Sequence, residues 1–411
     1  MKKPRIKTEQ LVLIVIFLAV IAVPAMLLFQ NSGRYLTGEN RMAASFPKLI
    51  KDDGSLSTRT DFENFFDDNI GFRSAAPLLN AQVMYKLFGT ILDTAQLKGK
   101  DGNLFAGDDR RFPTRRAPYP PLTERELADN GQNIEAASDY FKTKDIPFLF
   151  ITIPDKEEVY PNLYPDTFLQ KPDQDRLAQQ TYWLNANTDV DAFDMTNYLR
   201  QTAENFNGML WYETGNSAHW NYMGAWYGYL AIMDRLKKYD PGVKVLNLDE
   251  FNVTTATEPY TNVDGSLVYS GMYNTVYTFD YKPGFSSTQI TNGEDPWMPQ
   301  DQLDLAGFQK GGVYYHFHND NEKGQLVFFG DSYVYQFLLP YFAESFGDVY
   351  LFFLPTNYQI MKPVLDMIGA DYVVLEMVER TYGSTNMNTM ADEFAADAPT
   401  LTRPADYPEI N

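Results

Sequence analysis

A chain of 411 residues, 44% hydrophobic and 15% aromatic, can build one large domain or two ordinary ones with real cores. Its 34 Lys and Arg stand against 54 Asp and Glu, and the formal charge of -20 argues against an adhesive for nucleic acid or anionic lipid. With no cysteine and only 3 histidines, thiolate metal sites, thiol catalysis and disulfides are excluded, and the composition is unpromising for a metalloenzyme.

Leu11 to Phe29 form an uncharged apolar stretch of the length needed to cross a bilayer core as a helix. Lys2, Lys3, Arg5 and Lys7 precede it, which predicts a cytoplasmic N-terminus (1–10), a single-pass membrane anchor (11–29) and an extracytoplasmic remainder. The alternative is a cleaved signal peptide, for which Val23-Pro24-Ala25 makes a poor cleavage site. Residues 30–120 read as a membrane-proximal helical and irregular segment, with helical spacing from Asp61 to Gly89 that puts Phe62, Phe65 and Phe66 on one side. Gly99-Lys100-Asp101-Gly102 is a turn before the short strand at Leu104-Phe105.

From Leu122 helix and strand alternate. Thr123 and Glu126 have the spacing of a capping box, predicting a helix to about Lys142. Ile146–Ile153 is a continuous apolar run of strand length, as expected in the middle of a parallel sheet. A helix over 173–186, a strand over 190–194, a short helix over 197–205 and a longer one over 222–238 follow. Between about 251 and 319 Thr, Val, Tyr and Gly dominate, predicting a β-rich insertion. The layer resumes with a strand at Gln325, a helix over 334–346, a strand over 349–354, a helix over 359–369 and a strand over 372–378, before a peripheral tail at 392–411. The series predicts an α/β layered domain over 121–391 with a central, mostly parallel sheet.

Ser332 follows the apolar run Gln325–Phe329 and precedes a helix, a usual position for an exposed nucleophile. Gly330 permits a tight turn there, and the amides beside Ser332 face a developing oxyanion. The plainer reading of Gly330-Asp331-Ser332 is a serine that caps the helix. His219, in Asn216-Ser217-Ala218-His219-Trp220, is a candidate base, or else a structural histidine beside Trp211, Trp220 and Trp226. His316 and His318 alternate on one strand face, but without a nearby carboxylate pattern they make a poor metal motif, so no metal and no cofactor are expected.

Seven short pieces then occur in one order: Glu39-Asn40-Arg41 with Phe46-Pro47; Phe62-Glu63 with Asp68-Asn69-Ile70-Gly71-Phe72-Arg73; Gly99-Lys100-Asp101-Gly102 with Leu104-Phe105; Pro154-Asp155-Lys156 with Tyr160-Pro161; His219-Trp220; Gly330-Asp331-Ser332-Tyr333; and Glu379-Arg380. In these the chain resembles the SGNH hydrolase-like polysaccharide O-acetylation proteins of the AlgJ and AlgX type. The resemblance implies an anchored extracytoplasmic enzyme domain with an SGNH-like fold. Such a domain passes acetyl groups, supplied by a membrane-bound O-acyltransferase partner, to polysaccharide hydroxyls. It further implies Ser332 as nucleophile, His219 as base, and Tyr333, Arg380 and Asp331 as supporting or substrate-binding residues.

The family's acid, two residues before the histidine, does not carry over, because Ser217 stands there. Three outcomes follow: a Ser-His dyad, an acid supplied from elsewhere with Glu213 nearest in sequence, or a protein that no longer catalyses. The alternatives to a transferase are therefore a glycan-binding or assembly protein of the same fold, with Tyr260, Tyr269, Tyr273, Tyr277 and Trp297 as sugar-stacking platforms, and an acetyl esterase.

Overall fold

Apolar runs that cannot face water on either side dictate the centre of this fold. The computed structural model describes residues 8–28, 35–36, 41–51, 54–73, 75–88, 96–106, 121–165, 176–214, 219–259, 272–290, 314–353 and 361–379. Contacts divide the chain into two units, one of Met1–Asp93 with Tyr260–Gly271 and one of Thr94–Pro259 with Met272–Asn411.

In the first unit, helix α1 (Thr8–Met26) is long and apolar enough to cross a membrane. Its 19 residues rise about 28 Å at 1.5 Å per residue. Strands β1 (Tyr35–Leu36) and β2 (Arg41–Met42) pair antiparallel. The helical stretch predicted over 61–89 is two helices, α2 (Arg59–Asn69) and α3 (Ala75–Phe88). The break has a local cause: Gly71 donates to the Pro24 carbonyl at 3.0 Å, and a Cβ there would lie 2.7 Å from that of Leu27. Phe72 then turns with φ 65. Phe65 is buried and takes Phe46 edge-on at 5.1 Å, whereas Phe66, predicted on the same side, is exposed.

The second unit is an α/β layer. It opens with the hairpin β3 (Gln96–Lys98) and β4 (Leu104–Ala106), inside the stretch 30–120 expected to be membrane-proximal. It falls here because long-range main-chain bonds, such as Leu104 N–H to the Glu213 carbonyl at 2.7 Å, tie it to this layer. Helix α4 (Glu124–Lys142) starts at the predicted capping box, with the Glu126 carboxylate accepting from the Thr123 N–H at 2.8 Å. Next come β5 (Phe148–Ile153), the short α5 (Lys156–Val159), α6 (Arg176–Asn187), β6 (Asp191–Asp194), α7 (Thr196–Asn205) and α8 (Tyr222–Leu236). Strands β7 (Phe251–Pro259) and β8 (Tyr273–Tyr281) form a long ribbon of their own. The chain continues through β9 (Thr288–Ile290), β10 (Tyr314–His318), β11 (Gln325–Gly330), a π-helical turn at Val334–Leu338, a helix at Leu339–Ala343, β12 (Asp348–Phe353), a helix at Met361–Ile368 and β13 (Tyr372–Val378).

Seven strands make one sheet in the order β6-β5-β13-β11-β12-β10-β9, parallel from β6 to β12. Strands β9 and β10, expected in the insertion, extend this sheet antiparallel at its edge. Among the described residues the insertion is thus the ribbon alone. Strand period 2 sends Leu149, Ile151, Leu326, Phe328 and Val374 into one core with α8, and Phe148, Phe150, Val327, Phe329 and Leu375 into the other with α4 and α6. Burial on both faces explains why these strands read as unbroken apolar runs.

Candidate active site

Strand β11 lies between β12 and β13 and delivers Gly330 at its carboxyl end. A Cβ on Gly330 would lie 2.7 Å from Glu376 Oε2 and 3.0 Å from Val334 Cγ2. Gly330→Ala is therefore expected to destabilise the domain by about 1–3 kcal/mol in chemical denaturation, through overpacking against the buried Glu376.

Asp331, rather than Ser332, caps the following turn. Its N–H donates to Glu376 Oε2 at 3.0 Å, its Oδ1 accepts the Tyr333 N–H at 2.9 Å, and its Oδ2 accepts the Val378 N–H at 3.2 Å. The capping role that the plainer reading gave to Ser332 is thus filled by its neighbour. The Tyr333 amide is also committed to Asp331, so it does not face an oxyanion. The Ser332 N–H is the amide at the candidate nucleophile that has no acceptor among the described residues.

The helix predicted over 334–346 winds as a π-turn over Val334–Leu338 before becoming α-helical at Leu339. Pro340 has no N–H to give to the preceding turn and crowds it, and a widened turn relieves both problems.

His219 is placed by its neighbours. Trp211 and Trp220 form an isolated antiparallel bridge, and the Asn221 N–H donates to the Leu210 carbonyl at 2.9 Å. The Asn221 side chain caps α8 by accepting from the Met223 and Gly224 amides, both at 3.0 Å. His219 thus stands immediately before a well-anchored helix start, with its ring buried against Tyr333 at 4.4 Å and Phe337 at 5.7 Å. Tyr333 is fully buried and takes a hydrogen bond from Trp211 Nε1 at 3.3 Å. This aromatic wall leaves His219 Nε2 2.9 Å from the hydroxyl oxygen of half-buried Ser332. At that distance an imidazole can take the serine proton as the oxygen attacks.

Sequence reasoning missed the part played by Lys156, although Pro154-Asp155-Lys156 was singled out. Lys156 is buried, and its ammonium donates to the carbonyls of Leu104, Tyr212 and Glu213 at 2.9, 2.9 and 3.0 Å. It also lies 4.8 Å from the centre of the Phe105 ring. One cation therefore ties the β3-β4 hairpin to the segment leading into His219. Burial pushes it down to about 7, against the charges of Glu213 and Glu157, which act to raise it. A lysine two residues after the proline that ends a buried strand was the available signal.

The structure brings Ser332, His219, Tyr333 and Asp331 together. Ser217, Arg380, Tyr260, Tyr269, Trp297 and the tail 392–411 lie outside the described residues. The Glu213 carboxylate is turned to Thr275, accepting from its N–H at 2.8 Å and its hydroxyl at 2.5 Å. Of the suggested stacking platforms, Tyr277 is buried, whereas Tyr273 is exposed. His316 and His318 stand at the far end of the sheet from Ser332, because β10 runs antiparallel to β12 and His318 pairs with its first residue, Asp348. The carboxylate that the sequence pattern lacked comes from that pairing.

Residues 97–279 match the family model described as the SGNH hydrolase-like domain of acetyltransferase AlgX. No curated protein matches the chain. Among solved structures, PatB1 of Bacillus cereus carrying a sulfonyl adduct is 17% identical, with a TM-score of 0.51 over 72% of this chain and 98% of that one. The O-acetyltransferase domain of Pseudomonas putida AlgJ is 16% identical, with a TM-score of 0.45 over 73% and 99%. AlgX of Pseudomonas aeruginosa is 12% identical, with a TM-score of 0.38 over 72% and 66%. The fold of this chain is SGNH hydrolase-like.

Proposed function

We propose that this chain is an acetyltransferase of the SGNH hydrolase-like type, passing acetyl groups to hydroxyls of a cell-surface or exported polysaccharide. The observation that carries this reading is the 2.9 Å contact between Ser332 Oγ and His219 Nε2 at the carboxyl end of the central parallel strand. Ser332 attacks the acetyl carbonyl of a donor ester while His219 takes its proton, and the donor alcohol leaves with that proton. A sugar hydroxyl then attacks the acetyl-serine, His219 accepts the hydroxyl proton, and Ser332 is released with its own proton restored. The Ser332 N–H is the main-chain donor for the oxyanion in both halves. A membrane-bound O-acyltransferase would supply the acetyl group. Helix α1 would hold the domain at the outer face of the membrane, with the N-terminus inside.

The direct test uses the full-length protein in detergent micelles with an activated acetyl ester, read by intact mass and peptide mapping. An acetyl group on Ser332 is the expected product. Its absence, with the reagent intact, would leave the glycan-binding reading standing instead. PatB1 carries a sulfonyl adduct, and a sulfonyl fluoride is likewise expected to label Ser332 here. If the acetyl-enzyme turns over in water as fast as with added oligosaccharide, the protein is an esterase.

Ser217 offers a second measurement. A serine hydroxyl can orient an imidazole but cannot stabilise imidazolium by charge. Loss of the acid costs on the order of 10⁴ in turnover in a serine protease. Ser217→Asp is expected to speed acetyl-enzyme formation by at least about 10-fold. An unchanged rate would mean that another group already serves the imidazole.

A further inference from the structure

We propose that His316, His318 and Asp348 form a binding site for a divalent transition metal of the zinc class, separate from the Ser332 centre. The three side chains come from adjacent strands. His316 and His318 lie on one face of β10, and Asp348 opens β12 directly across from His318. Their donor atoms all lie within 4.8 Å of one another. A single carboxylate oxygen, Asp348 Oδ1, is 2.7 Å from His316 Nε2 and 2.9 Å from His318 Nδ1.

Two ring nitrogens converge on one oxygen, an arrangement that two N–H protons satisfy in the metal-free protein and that one metal ion can satisfy in their place. A separate observation orients the second imidazole: His318 Nε2 lies 3.0 Å from Asp320 Oδ1, and a carboxylate can only accept there. That outer carboxylate directs the His318 Nδ1 lone pair inward when no proton occupies it, the arrangement in which metal-binding histidines are usually held. The His316 ring is fixed in turn by stacking on Tyr350 at 4.0 Å and 13°.

Donors about 2.1 Å from a tetrahedral ion stand roughly 3.4 Å apart, so the carboxylate oxygen must draw back from each ring nitrogen by about 0.5–0.7 Å while the two nitrogens, within 4.8 Å of one another, draw together. Two imidazoles and one carboxylate suit zinc, and they suit magnesium or calcium poorly. His316 and Asp348 are buried, whereas His318 is partly exposed, so entry is along the His318 edge. Asp348 pairs with Gln325, five residues before Gly330. The site is therefore about 17 Å along the strands from Gly330, with Ser332 two residues beyond it, and an ion there would clip β10 to the sheet rather than take part in acyl transfer.

The test is calorimetric titration of chelator-stripped, full-length protein in detergent with zinc chloride, alongside His318→Gln and Asp320→Asn. The expected result is one zinc per chain with Kd below about 1 µM, weakened at least about 100-fold by His318→Gln and about 10-fold by Asp320→Asn. At one fixed zinc concentration the thermal midpoint should rise most in the unsubstituted protein, less in Asp320→Asn and least in His318→Gln. Labelling of Ser332 by a sulfonyl fluoride should be unchanged in both variants, showing that each is folded. No binding below about 100 µM, equal binding by magnesium chloride, or the same zinc affinity in His318→Gln would overturn the proposal.

Discussion

Ser332→Ala is expected to eliminate the acetyl adduct and to lower acetyl transfer by at least about 10²-fold, with little change in stability. The floor follows from two magnitudes. Removing the nucleophile of a complete serine triad costs on the order of 10⁶, and loss of the acid alone costs on the order of 10⁴. A centre with serine at the acid position starts lower and has less to lose. Stability should hold because Ser332 is half-buried, and the cap and turn rest on Asp331 and Gly330 instead. His219→Ala should fall by a similar factor, and the double variant by no more than either single change, since the two groups act as a unit. The check is the rate of acetyl-oligosaccharide formation beside a denaturation curve for each protein. Full transfer by Ser332→Ala would end the serine-nucleophile reading.

Lys156→Met is the second large effect, and it separates positioning from chemistry. The ammonium touches neither Ser332 nor His219. It holds the Tyr212 and Glu213 carbonyls while the Tyr212 N–H donates to the His219 carbonyl at 3.3 Å. Methionine fills similar space and leaves three carbonyls without that donor. Each unpaired carbonyl costs about 1–3 kcal/mol, partly offset because a charge is no longer buried. A shift of about 1 Å in the histidine can lower turnover about 10²-fold. The pH dependence supplies the discriminating sign. Lys156 sits at about 7 in the fold against 10.5 in the unfolded chain, so between those values the unfolded state binds the extra proton. Stability then rises with pH across that window, by at most about 1.4 kcal/mol per unit, and the contribution is lost as pH falls through 7. The gap between the unsubstituted protein and Lys156→Met should thus widen from pH 7 toward pH 10. A gap that narrows over that range would show that burial does not favour the neutral amine of Lys156 in the fold.

Local pattern carried much of this protein. The capping box at Thr123 and Glu126 and the runs that became β5, β11, β12 and β13 were legible because each is decided by neighbours in sequence. Ser332 was legible as the residue after a buried strand, and His219 through rarity and its place in an ordered set of motifs. The readings that moved concern partners far apart. The edge strand β10 read as insertion because its pairing partners on β12 lie about 30 or more residues away. The π-turn after Ser332 depends on Pro340 within a helix that otherwise reads as regular.

By itself the sequence determined the apolar helix, the alternating α/β layer, the candidate nucleophile and base, and the departure at Ser217. Hydrophobic period, turn chemistry and residue identity are local properties, so they survive without coordinates. Tertiary structure alone decided that Asp331 caps the turn and leaves the Ser332 hydroxyl to His219. It also decided that Glu213 serves Thr275, that Lys156 binds three carbonyls, and that Asp348 meets His316 and His318. Apart from the two-residue span of the Asp331 cap, each is a choice among partners separated by tens of residues, made by strand register and burial, where an unpaired polar group costs too much to leave alone.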